Sequence, residues 1–265
     1  MKSYSCVHMS DSCRLLRLYA GEQVEGSRVD AITTLRGDGN TNPYSSFNCC
    51  DYVGDDPEHV ASCRRALCLE LGIPSDHLVT LRQVHSCRVV DALEVKGRVE
   101  ADALVCDTPG IYIGIFTADC VPILLFDRRQ GVIAAVHAGW RGTLNRILLP
   151  TIDMMLAKGA LMADIEVIFG PAICHDCYEV GMELIEEFGA ADFPMERIAT
   201  IDTAKGKGHL DLVEANISIL EEIGVSSKRI TRSNLCTLCN PGRFFSARRL
   251  GINSGRILTA IAINP

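Results

Sequence analysis

Two histidines and one cysteine stand where apolar runs give way to loops. His85 follows the run "HLVTLRQV", Cys120 interrupts "GIYIGIFTADCVPILLFD" (110–127), and His137 comes at the end of "VIAAVHAG". Functional side chains tend to project where a rigid strand meets a loop. Imidazole nitrogen and thiolate sulfur are both ready zinc ligands, and a catalytic zinc takes three protein ligands and keeps a fourth position open. The gaps, 120 − 85 = 35 and 137 − 120 = 17 residues, are not the short paired spacings of a zinc finger. On spacing alone, two hydrogen-bonded histidines and a buried thiol are the more ordinary account of these residues, ahead of a metal centre. As a free thiolate, Cys120 could also be a nucleophile, with His137 or His85 as its base.

The elements that must position these side chains are mostly strands. "HLVTLRQVHSCRVVDAL" (77–93) is rich in β-branched residues, and short apolar runs follow at 102–106, 111–117 and 121–126. "DRRQG" (127–131) reads as a turn into "VIAAVHAG", and "IEVIFGPAI" (165–173) as a further strand. Asp56-Pro57-Glu58 supplies a cap, a proline at the first helical position and an acid in the first turn, so a helix is expected to about Leu71, ending at Gly72-Ile73-Pro74. Leu144, Ile147, Leu148, Ile152 and Met155 recur at helical spacing from Thr143, and Pro150 predicts a kink within that helix. "DLVEANISILEEIG" (211–224) is amphipathic with Gly224 at its end. "RFFSARRL" and "RILTAIAI" read as closing strands. The turn-rich stretch 37–57 keeps Tyr44, Phe47 and Tyr52, as an ordered loop does. Strands that mostly follow strands argue for a mixed α/β architecture with helices covering layered sheets.

The chain has 265 residues and is 48% apolar, enough for one domain spanning 1–265 with a substantial core. A net charge of −7 without a basic stripe argues against nucleic acid or an anionic membrane as the main partner. No run approaches the roughly 18 apolar residues of a membrane span. The first twenty residues lack the apolar core and cleavage site of a signal peptide, so a cytoplasmic location is expected. The thirteen cysteines are odd in number, and several lie in apolar periodic stretches, which fits reduced thiols better than a disulfide framework. Two C-x-x-C pairs, Cys174/Cys177 and Cys236/Cys239, have the spacing of a four-cysteine zinc site, but 58 residues lie between them, so reduced loop thiols are the default expectation.

The motifs "PYSSFN", "YVGDDP", "RQVHS", "TADCVPILL", "AAVHAGWRG", "GPAICHDCYEVG", "HLDL", "CTLCNPGRFFSARR" and "NSGRI" occur in that order. From about residue 30 to the end the chain resembles the laccase-domain (YfiH-type) family, also called the multicopper polyphenol oxidase family. The resemblance implies an α/β/β/α sandwich similar to the catalytic domain of cytotoxic necrotizing factor. It implies a zinc-dependent purine nucleoside phosphorylase acting on adenosine, inosine, guanosine or methylthioadenosine with phosphate, with adenosine deaminase activity besides. Its metal triad falls on His85, Cys120 and His137, with Asp119 as a second-layer or proton-handling carboxylate. Arg64, Arg141 and Arg248 match arginines in family motifs, with Arg64 expected on the phosphate. Asn48 and Gln83 are expected as polar pocket lining. The chain departs from the family pattern at "GDGN" after Arg36, where "GGVS" is usual, and at Cys63, where many relatives carry Asn.

Three rivals accompany this expectation. A copper oxidase would use copper in place of zinc, but seven histidines without a His-x-His pair are few for several coppers. A cysteine hydrolase would use Cys120 on amides of peptidoglycan precursors. A scaffold domain would hold zinc only for stability, and chelation would unfold it.

Overall fold

A computed structural model describes residues 14–20, 28–38 and 41–264. The strands are β1 (Leu15–Ala20), β2 (Arg28–Thr34), β3 (Leu78–Thr80), β4 (Val89–Asp91), β5 (Ala103–Cys106), β6 (Tyr112–Thr117), β7 (Val121–Asp127), β8 (Val132–Ala138), β9 (Glu166–Phe169), β10 (Glu179–Gly181), β11 (Ala199–Asp202), β12 (Lys207–Leu210), β13 (Ile230–Arg232) and β14 (Ile257–Asn264). The helices are α1 (Pro57–Leu71), α2 (Trp140–Leu144), α3 (Leu148–Ala157), α4 (Met182–Ala190), α5 (Met195–Ile198), α6 (Leu212–Glu222) and α7 (Ala247–Leu250).

Two mixed sheets lie face to face. One has the order β1-β2-β14-β6-β3, the other β13-β9-β7-β8-β5-β4, and β10-β12-β11 forms a small third sheet. Alternation along the strands explains the layering. In β7, Leu124 and Phe126 join Ile113, Ile115 and Ile261 of the opposite sheet in the central core. Val121, Ile123 and Leu125 point the other way and pack with Leu148, Ile152 and Met155 of α3 and Ile219 and Leu220 of α6. On the outer face of the first sheet, Ile32, Leu258 and Ala260 meet Cys63, Leu67 and Cys68 of α1. The result is the α/β/β/α sandwich expected from the resemblance. Burial on both faces is why β7 and β8 read as continuous apolar runs rather than alternating ones. Cys63 belongs to this packing, as a small buried hydrophobe.

The β-branched stretch 77–93 holds two short strands: β3 joins one sheet and β4 the other, and residues 81–88 form the loop between them. Two sequence-based expectations need correction. The helix from Thr143 is two helices. The break falls at Asn145–Ile147, where Arg146 takes φ +57°, and not at Pro150. Pro150 sits in the first turn of α3, where its missing N–H removes no helical hydrogen bond. "RFFSARRL" is not a strand. Phe244 and Phe245 are both buried, against period-two alternation, and Ser246 caps α7 by accepting from the Arg249 N–H. The predicted helix α1 is found with Asp56 as cap and Gly72 at φ +69° closing it. At the "GDGN" departure, Gly37 has φ +88° and a Cβ there would fall 2.0 Å from the Ser46 Oγ, so the turn needs glycine at this position.

Candidate metal centre

The pairing of β7 with β8 brings Cys120 to His137. Val121 lies opposite Ala138 and Pro122 opposite His137, so Cys120, one residue before β7, sits at the same corner as the end of β8. His85 reaches them from the 81–88 loop in a left-handed conformation, φ +59°. The Cys120 Sγ lies 3.9 Å from His85 Nε2, and the two imidazole centroids are 4.8 Å apart at 77°. One ligand atom from each of the three residues falls within 4.8 Å of the others. A tetrahedral zinc with bonds of about 2.3 Å to sulfur and about 2.0–2.1 Å to nitrogen separates such atoms by roughly 3.6 Å, so the trio fits that ion. Burial is graded across it: His137 is buried, Cys120 half-buried and His85 exposed. The open side of a three-ligand centre therefore faces solvent beside His85.

Asp102 is the residue that the sequence did not single out. Its carboxylate accepts from His137 Nδ1 at 2.8 Å and from the backbone N–H groups of Val84 (3.3 Å), His85 (3.0 Å) and Ser86 (2.6 Å). The Ser86 hydroxyl donates to it at 2.7 Å. One buried carboxylate thus fixes the His137 tautomer, turning Nε2 toward Cys120, and holds the strained loop that delivers His85. Burial would raise its pKa, but the His137 and Ser86 contacts outweigh that and hold it below the usual carboxylate range. The sequence signal was an Asp opening the otherwise apolar run "DALVC".

Asp119 makes contacts other than a bond to an imidazole. It does not touch either imidazole in the manner of Asp102. It adopts φ +87°, and its carboxylate accepts from Thr237 Oγ1 (2.6 Å), Ser246 Oγ (3.0 Å) and the Arg248 N–H (2.7 Å), while its carbonyl accepts from the Ile173 N–H. It ties the segments around 173, 237 and 246–248 to the Cys120 corner. Asn48 and Gln83 also bond mainly to backbone groups. Asn48 bonds Cys50 at both backbone groups, Asp55 and the Arg256 N–H. Gln83 mimics a strand against the backbone of Phe116 and accepts from the Tyr52 hydroxyl. Arg64 donates to the Cys49 carbonyl and the Thr80 hydroxyl. It lines a cavity of about 710 Å³ with Tyr52, Arg82 and Arg98, whose lining includes none of the three candidate ligands.

Arg141 and Arg248 are at the centre's rim. Both are exposed, and both lie within electrostatic reach of the Tyr178 hydroxyl, which in turn feels Cys120 and Asp119. The Arg248 guanidinium stacks on the Tyr178 ring at 5.4 Å, and that of Arg141 on Trp140 at 4.0 Å. Tyr178, in "CYEVG", is a wall residue that the sequence motifs contained without marking. Burial, with Cys120 beside it, pushes its phenol up to about 12, so it stays a neutral hydrogen-bond donor.

In the metal-free chain the centre is a charged pair. Burial would raise the Cys120 thiol, but the His137 and His85 imidazoles outweigh it and lower it to about 6. Burial would lower His137, but Cys120 and Asp102 raise it to about 9. A depressed thiol contributes stability that is present above its ordinary value and lost as pH falls through about 6. The raised imidazole contributes stability that is present below its ordinary value and lost as pH rises through about 9. Chelator-treated protein should therefore alkylate at Cys120 with iodoacetamide with a midpoint near pH 6, and zinc should protect it. A midpoint in the ordinary thiol range would mean that the imidazoles do not face the sulfur.

Gly139 is required by space rather than by φ. A Cβ there would lie 2.9 Å from His85 Cδ2 and 3.2 Å from Cys120 Sγ. Gly139→Val should displace the exposed His85 and reduce bound zinc, measured per chain, while far-ultraviolet circular dichroism stays unchanged.

Comparison with known proteins gives the family. Residues 30–264 match the family described as multi-copper polyphenol oxidoreductase laccase. The chain is 46% identical over 259 residues to adenosine deaminase RL5 from an unknown prokaryotic organism, covering 93% of this chain and 98% of that protein. It is 38% identical over 244 residues to a purine nucleoside phosphorylase of Bacteroides thetaiotaomicron, covering 88% and 90%. Among solved structures, YlmD of Geobacillus stearothermophilus superposes with TM-score 0.82 at 29% identity, covering 93% of this chain and 99% of that one. The YfiH protein of Bacillus licheniformis gives 0.80 at 29% identity, covering 88% and 92%. With this match over nearly the whole described chain, and relatives well above 30% identity, the chain belongs to the laccase-domain (YfiH-type) family.

Proposed function

We propose that the chain, acting as one cytoplasmic domain, is a zinc-dependent purine nucleoside phosphorylase with adenosine deaminase activity at the same centre. The observation that carries this is the convergence of His85, Cys120 and His137, three ligating side chains with His85 exposed. The names of the relatives, a purine nucleoside phosphorylase and an adenosine deaminase, support the substrate class. Zinc is favoured over several coppers because the other described histidines are engaged elsewhere: His59 with Asp55 and Cys63, His77 with the Gly110 carbonyl, and His175 with Asp176 and Thr200, while His209 bonds the His175 carbonyl.

Phosphorolysis breaks the bond between the anomeric carbon and the purine nitrogen while a phosphate oxygen bonds that carbon. Charge builds on the departing base and must be met by fixed groups. His85, Cys120 and His137 hold the ion, and Asp102 keeps His137 in one tautomer. Bound zinc supplies a Lewis acid and, for deamination, an activated water. Arg141 and Arg248 are placed to hold the phosphate, and the neutral Tyr178 hydroxyl can donate to a substrate oxygen. Arg64 is not assigned the phosphate, because the cavity it lines includes none of the three candidate ligands, whereas Arg248, which also spends one nitrogen on the Glu179 carbonyl, stacks on Tyr178 at the centre's rim.

Purified protein mixed with inosine or adenosine and phosphate should yield free base and ribose 1-phosphate, and His85→Ala should lose that product. Inosine from adenosine without base release would make the protein chiefly a deaminase. Arg248→Ala should raise the KM for phosphate by roughly 10-fold, the value of about one charge-assisted hydrogen bond. The Asp119 contact survives that change because it uses the Arg248 backbone N–H. Arg64→Ala should leave that KM within about twofold, well under the 1.4 kcal/mol of a tenfold change.

A further inference from the structure

The two C-x-x-C pairs, 58 residues apart in sequence, are brought together in space. Ala172 and Cys236 form a parallel bridge that extends the β9–β13 pairing, with the Thr237 N–H donating to the Ala172 carbonyl at 3.1 Å. One sulfur from each of Cys174, Cys177, Cys236 and Cys239 then falls within 4.8 Å of the others, and Cys177 and Cys239 are 3.4 Å apart. A tetrahedron of four sulfurs around zinc, with bonds of about 2.3 Å, has edges of roughly 3.8 Å, which lies between these values. We propose that Cys174, Cys177, Cys236 and Cys239 form a second, closed zinc site that is structural and separate from the His85–Cys120–His137 centre.

Three observations favour metal over a simple thiol cluster. The Cys236 sulfur accepts two backbone N–H bonds, from Cys174 and Cys239, each at 3.4 Å. Two N–H groups aimed at one sulfur are the arrangement that supports a ligating thiolate. His175, inside the first pair, is not a competing ligand: its Nδ1 is on Asp176 and its Nε2 on Thr200. The Arg249 guanidinium donates to the Leu238 carbonyl at 3.0 Å, which places a cation next to a cluster that would carry net negative charge.

The position gives the site a purpose. Tyr178 directly follows Cys177, and Thr237, between Cys236 and Cys239, donates to Asp119 beside Cys120. A metal tying the two pairs would staple the wall that carries Tyr178 to the segment anchored on Asp119. The four sulfurs would fill the coordination sphere, leaving no open position for chemistry.

The test is zinc per chain in protein purified under reducing conditions. Two zinc ions are expected in the wild type. One should remain in Cys177→Ser/Cys239→Ser, and one in His85→Ala, so failure of the second site and failure of the proposed active centre give different patterns. Cobalt(II)-loaded His85→Ala should keep intense thiolate-to-cobalt charge-transfer bands from the remaining four-sulfur site, a readout that needs no folded cysteine variant. The double variant should also show a higher KM for nucleoside with its catalytic zinc retained. A single zinc in the wild type that disappears in His85→Ala overturns the proposal. So does a Cys177–Cys239 disulfide found by thiol titration of the unfolded wild type.

Discussion

Cys120→Ser is expected to lose both the catalytic zinc and phosphorolysis. A four-ligand structural zinc site is worth on the order of 12 kcal/mol. One ligand's share, about 3 kcal/mol, corresponds to roughly 100-fold in affinity or more. A serine hydroxyl cannot replace the lost thiolate, because it does not ionise near neutral pH even beside two imidazoles. Isothermal titration with zinc, together with product analysis, would check both effects. The same substitution separates the metalloenzyme from a cysteine hydrolase. A nucleophilic Cys120 would be killed by Cys120→Ser but untouched by a chelator. A metal-bound Cys120 predicts that chelation alone silences the wild type and that added zinc restores it. Activity that survives complete zinc removal would sink the metal centre as the seat of chemistry. Unfolding on chelation, rather than silencing, would favour the scaffold alternative.

Asp102→Asn should have nearly as large an effect, although Asp102 is not itself one of the three candidate ligands. Five donors converge on its two oxygens: His137 Nδ1, the Ser86 hydroxyl and three backbone N–H groups. An amide offers one acceptor oxygen and turns an NH2 group on the remaining donors. Loss of a carboxylate behind a metal-bound histidine typically costs 10–100-fold in metal affinity or activity, of the order of 1.4–2.7 kcal/mol. Hydrogen bonds to charged groups contribute about 1.5–3 kcal/mol each, so a loss of roughly 3 kcal/mol of stability is expected on top, about 6–12 °C in Tm for a chain of this size. The Asp102 contribution has a defined pH window. Its pKa is below the ordinary carboxylate value, so the stabilisation is present above that value and is lost as pH falls through the depressed one. Wild type and Asp102→Asn should therefore converge in stability in acid and diverge toward neutrality. An unchanged Tm together with unchanged zinc affinity would remove Asp102 from the site.

The proposed structural zinc would add a second effect of chelators. Removal of the proposed catalytic ion should silence the proposed activity, whereas removal of the four-sulfur ion should loosen the wall that carries Tyr178 and lower the unfolding temperature. Graded chelation followed by activity and by heat-induced unfolding should therefore show two stages, activity being lost first at the open centre.

How much of this was legible in sequence depends on how far apart the partners lie. The strands around Cys120 and His137 are readable because β7 and β8 are buried on both faces, and such strands are unbroken apolar runs. Helix α1 is readable because its start and stop signals are local: Asp56, Pro57 and Gly72. The types and order of His85, Cys120 and His137 allow a zinc centre, and the motifs around them carry the family resemblance. Asp102 was missed because its partners are 16 to 35 residues away, and an Asp at the head of an apolar run does not by itself say what it will bind. Asn48 and Gln83 were expected to line a pocket and Arg64 to meet the phosphate, because a polar side chain in a motif does not reveal whether substrate or backbone satisfies it. In the structure backbone groups take most of these bonds.

By itself the sequence determined the fold class through local periodicity and the family resemblance through the order of its motifs, and that resemblance implied the three residues able to ligate a metal. Only the tertiary structure decided the rest. The β7–β8 register brought Cys120 to His137. Asp102 rather than Asp119 was placed on the imidazole, and Asp119 became the tie to the 237 and 246–248 segments. The β9–β13 pairing collected four cysteines from two distant pairs. The physical reason is the same in each case. Hydrogen bonds, ion pairs and metal coordination act over a few ångströms of space, and chain neighbours supply only a few of the groups found within that distance.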